Sequence, residues 1–291
     1  MKTQNTTKPI GRFDPLNDYL FLKVFGEKGD EVQLLGFLNA VLGWAGDDRL
    51  VSVEILENRT FTAEFMGDKA SVLDVRAKLS DGGRVNIEVQ LSNLKNMDKR
   101  SLFYWSREYA AGIKGGQDYV NLDNVIAVNI IDFDFLATEN FHTVFHLRED
   151  REPDIVLTGV LEIHFLNMVK WRRLEEKDIA GDPLHRWLTY FDRGSPPELI
   201  AEVKKMDDAI QTADERMVYV TGDEEAIHAY EMRQMAIYDK NTWILEAKME
   251  GIEEGIAKAN LEIARKMKAM GDSAERIQVI TGLSAETVET L

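Results

Sequence analysis

The chain holds a small set of carboxylate and amide side chains at strand spacing: Asp74 in Leu73-Asp74-Val75, and Glu88 and Gln90 in Asn86-Ile87-Glu88-Val89-Gln90. Val75, Ala77 and Leu79 alternate with Asp74, Arg76 and Lys78, and Val85, Ile87, Val89 and Leu91 alternate with Arg84, Asn86, Glu88 and Gln90. A period of two marks two amphipathic strands around a turn. For their polar faces to coincide, opposed residue numbers must sum to an even number, which requires a loop of odd length. A loop at Asp81-Gly82-Gly83 meets this condition, with a glycine free to take the left-handed position. It pairs Asp74 with Gln90 and Arg76 with Glu88, and sets Asp74 and Glu88 one pairing step apart on one face.

Two carboxylates so placed suit a hard divalent cation such as Mg²⁺, with water and substrate phosphate completing its shell. The cation would acidify its water and neutralise charge on a phosphodiester under attack. Gln90 orients the water or a phosphate oxygen but brings no charge, and the Val89 carbonyl between them is an additional ligand. As a solvated strand face, the same residues would form surface ion pairs and need no function. His142 and His146 share one face of a later strand, but no third metal ligand accompanies them, so they read as ordinary histidines.

The elements that position these groups follow from periodicity. Asp14-Pro15-Leu16-Asn17-Asp18 supplies caps before a helical run at Leu20, Phe21, Val24 and Phe25, and a second helix from Glu31 to Leu42 stops at Gly43. Val51 to Leu56 and Thr60 to Phe65 read as strands. After the hairpin, Asn96 to Lys114 forms a helix with Leu102, Phe103, Tyr109 and Ile113 on its apolar side and Lys99, Arg100 and Arg107 among its charges. Val125 to Ile131 is a continuous apolar run, expected of a strand covered on both faces. Strand, helix, strand implies a crossover and a mixed α/β sheet. Phe141 to Leu147 and Gly159 to Phe165 add strands. Beyond Trp171 the chain turns helical and acidic, a long polar helix runs from Thr242 to near Gly271, and short helices start at Ser273 and Ser284. The divisions are 1–175 for the sheet domain, 176–240 for an acidic helical region and 241–291 for the long helix with a helix-turn-helix-like tail.

The chain has 291 residues, a formal net charge of −16 and no cysteine. Disulfides and thiolate metal sites are excluded, and a reducing compartment fits. The polar start lacks a signal-peptide core and no apolar run reaches the ~20 residues of a membrane span, so a cytoplasmic protein with no membrane partner is expected. The negative charge argues against a broad basic footprint for nucleic acid, but its excess lies mainly in residues 136–230, so the local field around the site decides.

The arrangement of helix, strand, hairpin, helix and buried strand resembles the PD-(D/E)XK nuclease superfamily, and within it the recombination-promoting nuclease or putative transposase group. The resemblance rests on Asn17-Asp18-Tyr19-Leu20-Phe21 with Lys23-Val24-Phe25-Gly26, Phe37-Leu38-Asn39, Leu73-Asp74-Val75, Asn86-Ile87-Glu88-Val89-Gln90 and Tyr104. It implies a restriction-endonuclease-like sheet flanked by helices and followed by a helical C-terminal region, with 1–175 as the nuclease domain. It further implies a Mg²⁺-dependent DNA endonuclease, Mn²⁺ or Ca²⁺ being alternatives, tied to recombination, mobile elements or phage defence. Asp74 and Glu88 would bind metal and Gln90 would assist. Asp18 and Lys23 match the N-terminal motif and would face the site, although Asp18 also suits a helix cap and Lys23 an exposed helical charge. Lys99, Arg100 and Arg107 with Tyr104 would contact DNA through its phosphates. The alternative is a nuclease fold without turnover that serves as an interaction or regulatory module, motivated by the acidic charge and by Gln90 where the wider superfamily carries lysine. The last helix holds Glu286 and Glu289 and no Lys or Arg, which favours packing over base reading, and the long helix is expected to pair with its copy in a homo-oligomer.

Overall fold

A computed structural model of the chain describes residues 12–29, 31–56, 75–93, 95–113, 116 and 118–291. Asp74 and the expected strand from Thr60 to Phe65 lie outside the described residues. The described chain divides into two units, residues 1–233 and 234–291.

The first unit is built on a six-stranded sheet of order β1-β2-β3-β4-β6-β5. Its strands are β1 Val53–Ile55, β2 Val75–Leu79, β3 Arg84–Gln90, β4 Val125–Ile131, β5 His142–Phe145 and β6 Leu161–Asn167. β3, β4 and β6 run parallel, while β1 and β2 on one side and β5 on the other pair antiparallel. All residues of β4 are buried, as its unbroken apolar run requires of a central parallel strand. Helix α3, Met97–Ala110, makes the crossover from β3 to β4.

The hairpin loop sits one residue earlier than expected. Leu79 N–H donates to the Gly83 carbonyl at 2.7 Å, so the three loop residues are Ser80, Asp81 and Gly82. Gly82 takes the left-handed position with φ of 96°, and Asp81 Oδ1 accepts from Gly83 N–H at 2.9 Å. The odd loop length holds, but Gly82 rather than Gly83 ends the turn, and the register moves by two. Arg76 therefore pairs with Asn86, not Glu88, and Val75 pairs with Ile87.

One sheet face, carrying Val75, Ala77, Val85, Ile87, Val128 and Ile130, meets the main core. Helices α1 Asp18–Phe25, α2 Val32–Leu42, α5 Pro183–Phe191, α6 Pro197–Met206 and α7 Asp208–Val220 supply the rest of it. Phe25 lies against Phe37, Trp187 and Phe191 with ring centroids 5.8–6.1 Å apart. The core does not end near residue 175. Trp187, Leu188, Ile210 and Ala213 of the segment expected to form a separate acidic region are fully buried in it, because α5 carries no acidic residue and α7 turns its apolar side inward. The short α4, Met168–Arg172, follows β6, and the opposite sheet face is covered by α3.

Helix α8, Glu224–Ala269, starts earlier than the expected Thr242, and its first ten residues belong to the first unit. In the second unit, α9 Ala274–Thr281 and α10 Ala285–Thr290 are capped by Ser273 and Ser284 as expected. They form a small core of Ala264, Met267, Ile277 and Val288. No described helix is long and apolar enough to cross a membrane.

Candidate functional site

Arg76 of β2, Asn86 and Glu88 of β3 and Asn129 of β4 point toward α3, and they are buried. Relative exposures are 7% for Arg76, 4% for Asn86, 3% for Glu88 and 2% for Asn129. The helix above them differs from its expected orientation. Leu102 and Phe103, read as apolar packing positions, are 50% and 47% exposed, whereas Met97, Ser101, Tyr104 and Glu108 are buried. The reason lies in the sheet: a strand face bearing Arg76, Glu88 and Asn129 must be met by hydrogen-bonding groups, since unpaired polar atoms in a core cost more than exposed apolar ones.

The pairings are specific. Arg76 bonds both carboxylate oxygens of Glu108, through Nε to Oε1 and through Nη2 to Oε2 at 2.8 Å. Asn129, the β4 neighbour of Glu88, donates from Nδ2 to Ser101 Oγ at 2.9 Å and to the His164 carbonyl at 3.0 Å. Arg100 Nε donates to Glu88 Oε1 at 2.5 Å, with its guanidinium 5.0 Å from the centroid of the Tyr104 ring. Glu88 Oε2 is buried without a hydrogen-bond partner among the described residues. Burial pushes the Glu88 carboxyl above the usual range, and the charge and hydrogen bond of Arg100 oppose that shift.

Gln90 lies two residues along β3 on the same face, half-buried, and its Nε2 donates to the Ser92 carbonyl at 3.2 Å. Val89, between the two, turns its side chain into the main core. At the carboxyl ends of β3 and β4 a cleft opens, lined by Asp14, Leu91, Asp132, Arg172 and Asp192 among others. This is the end of a parallel sheet where ligands commonly bind.

Of the residues singled out in the sequence, the structure gathers Glu88, Gln90, Arg100 and Tyr104. Arg100 is half-buried against Glu88, and Tyr104 is buried beneath it. Lys99 is exposed on the outer side of α3, and Arg107 stacks over Phe103 at 5.7 Å. Asp18 and Lys23 are not brought to Glu88 by any described contact. Asn17, not Asp18, caps α1, accepting from the backbone N–H groups of Tyr19 and Leu20. Asp18 lies 3.8 Å from Arg233, and Lys23 pairs with Glu27 at 2.8 Å. The helix carrying both packs into the core on the other face of the sheet.

Sequence reading missed Glu108, Ser101 and Asn129. The signal was present as Ser101, Tyr104 and Glu108 at spacings of three and four, but a polar stripe on a helix ordinarily faces water. His142 does not join His146 as a metal pair. Its Nε2 meets His164 Nδ1 at 2.9 Å, and His164 Nε2 meets Glu162 Oε1 at 2.6 Å. No group of three or more His, Asp or Glu suited to a metal occurs among the described residues.

A mixed sheet whose parallel strands carry a buried acid under a crossover helix is a restriction-endonuclease-like core. The chain belongs to the PD-(D/E)XK nuclease family transposases, whose family model matches residues 15–247. No curated protein and no solved structure matches it.

Proposed function

We propose that the first unit is a divalent-metal-dependent DNA endonuclease, with Mg²⁺ as its ion and Mn²⁺ or Ca²⁺ able to take the same ligands. The observation that carries this reading is the Glu88 carboxylate, held in the core with one oxygen lacking a described partner. A buried anionic oxygen without a donor is a poor structural element and a good ligand for a hard cation. The donors fit such an ion: Glu88, the Gln90 amide oxygen, the Val89 carbonyl, and Asp74. Asp74 enters on the sequence pattern alone, as the residue immediately before Val75.

When bound, the ion supplies an acidified water and a Lewis acid at the phosphodiester. The residues do the remaining work. Asp74 and Glu88 would hold the ion and Gln90 would orient the attacking water or a phosphate oxygen, while Asn129 and Ser101 hold α3 against the sheet beside Glu88. Membership of the nuclease family transposases supports a link to mobile elements, and recombination or phage defence are the settings proposed for the activity.

The test is nicking of supercoiled plasmid with Mg²⁺ or Mn²⁺, run beside single-stranded DNA and RNA. Asp74→Ala and Glu88→Gln should each slow cleavage by at least ~100-fold, the scale on which essential electrostatic groups act. Mn²⁺ should raise the melting temperature of the wild type and of neither variant. Equal cleavage by all three proteins would remove both acids from the mechanism. A folded wild type that neither cuts nor responds to Mn²⁺ would leave an interaction module on a nuclease fold.

A further inference from the structure

Two arginines lie between the sheet and α3, Arg76 on β2 and Arg100 on α3, and their surroundings differ. Arg76 has an 8% exposed side chain and is tied to both oxygens of Glu108. Arg100 is 28% exposed and meets Glu88 through Nε and a single carboxylate oxygen. The first pair is closed and fork-to-fork, whereas the second lies at the solvent border and leaves Glu88 Oε2 without a described partner. A guanidinium and a divalent ion compete for the same carboxylate, because each is bound by its charge.

Hydrolysis of a phosphodiester gathers negative charge on the non-bridging oxygens, and a cation fixed near them lowers the barrier. Gln90 carries no charge. Arg100 is the cation in described contact with Glu88, and its planar fork suits two phosphate oxygens. Its seat over the Tyr104 ring, 5.0 Å from the centroid, gives the guanidinium a support that does not depend on Glu88.

We infer that Arg100 exchanges partners: it neutralises Glu88 in the metal-free protein, and once a divalent ion takes that carboxylate it turns to the scissile phosphate of DNA. Arg100 is then both a guard on the metal site and a catalytic residue. This rests on the nuclease reading above.

The experiment pairs two measurements at one pH. Mn²⁺ affinity is measured by calorimetry without DNA, and plasmid cleavage is measured with Mg²⁺. The proteins are wild type, Arg100→Gln, Arg100→Lys and Glu88→Gln. Arg100→Gln should bind Mn²⁺ several-fold more tightly, because the competing cation is gone, yet cut about 100-fold more slowly. Arg100→Lys should bind like the wild type and recover part of the cleavage. A merely structural Arg100 would lower both quantities together. Unchanged or weaker Mn²⁺ binding by Arg100→Gln, with the wild type binding normally, overturns the exchange and leaves the nuclease reading standing. Wild-type Mn²⁺ binding that Glu88→Gln does not reduce overturns both.

Discussion

Burying a carboxylate costs several kcal/mol unless its oxygens are paired, and the first unit meets that requirement unevenly. Glu108 is bonded at both oxygens, and Glu88 at one. The same accounting governs the histidines on the other face of the sheet. Glu162 accepts from His164 Nε2, which fixes the tautomer and leaves His164 Nδ1 to accept from His142. His142 is held neutral by its surroundings: burial first, then the neighbouring His164, push its pKa down from 6.5 to about 4, against opposing pulls from Asp182 and Glu162. The sign follows directly. The unfolded chain takes up this proton near pH 6.5 and the folded chain only near pH 4, so stability present above 6.5 is lost as pH falls through that window. With discount for partial exposure, the loss is on the order of 2 kcal/mol. Urea unfolding of the wild type should weaken by that amount between pH 6.5 and 4, and His142→Gln, which keeps a donor toward His164, should show a correspondingly flatter profile. If the variant loses as much stability as the wild type over this range, His142 is not the titrating group.

At the scale of elements, α3 and α2 show two ways in which neighbours override local pattern. The period-two alternation made β2 and β3 legible, and the parity argument gave the odd length of the loop between them. The position of the loop was not, because Asp81-Gly82-Gly83 offers two glycines and only packing decides that Gly82 takes the left-handed place. The tilt of α3 was equally hidden: Leu102 and Phe103 look like a packing face until the polar sheet beneath selects Ser101, Tyr104 and Glu108 instead. The helices from 183 to 220 were visible as helices, but their share in the main core depends on contacts far apart in sequence. Gly36 in the middle of α2 is the clearest trace of such a contact. A glycine there costs about 1 kcal/mol relative to alanine in helix propensity, and a Cβ at this position would collide with the Ala209 Cβ of α7 while touching Trp187 at 3.4 Å. Gly36→Ala should therefore destabilise the unit, by roughly 1–2 kcal/mol once overpacking outweighs the propensity gain. Gly36→Ala combined with Ala209→Gly should recover most of it. Thermal melts check this, and a single variant as stable as the wild type would mean that α2 and α7 need no close approach.

At the scale of the molecule, the second unit presents a helix that its own small core does not cover. From Tyr238 to Ala259 every residue of α8 is exposed, although Met235, Tyr238, Leu245, Met249, Ile252, Ile256 and Ile263 are 43–61% exposed apolar side chains. With Thr242 and Ala259 they fall at alternating spacings of three and four, the heptad seam of a two-stranded coiled coil. Solvated helices gain little stability alone, and a second copy of α8 would cover this stripe along its length. Charge selects the direction. Asp239, Glu246 and Glu253 flank the seam on one side and Gln234, Asn241, Lys248 and Gly255 on the other. Antiparallel chains would set acid against acid, whereas parallel chains set Lys248 of one copy beside Glu253 of the other. We expect a parallel dimer, with a light-scattering mass twice the 33.2 kDa of the chain, reduced to that of one chain by Ile252→Asp with Ile256→Asp. The absence of cysteine makes orientation testable by oxidation. In a parallel dimer Leu245→Cys and Ile256→Cys each cross-link to themselves, because identical positions face one another along the seam. Antiparallel chains centred between these positions would link one variant to the other only in a mixture, and a monomer would link neither. A single-chain mass at micromolar concentration, with no cross-link in either variant, would show that this stripe is covered by something other than a second copy.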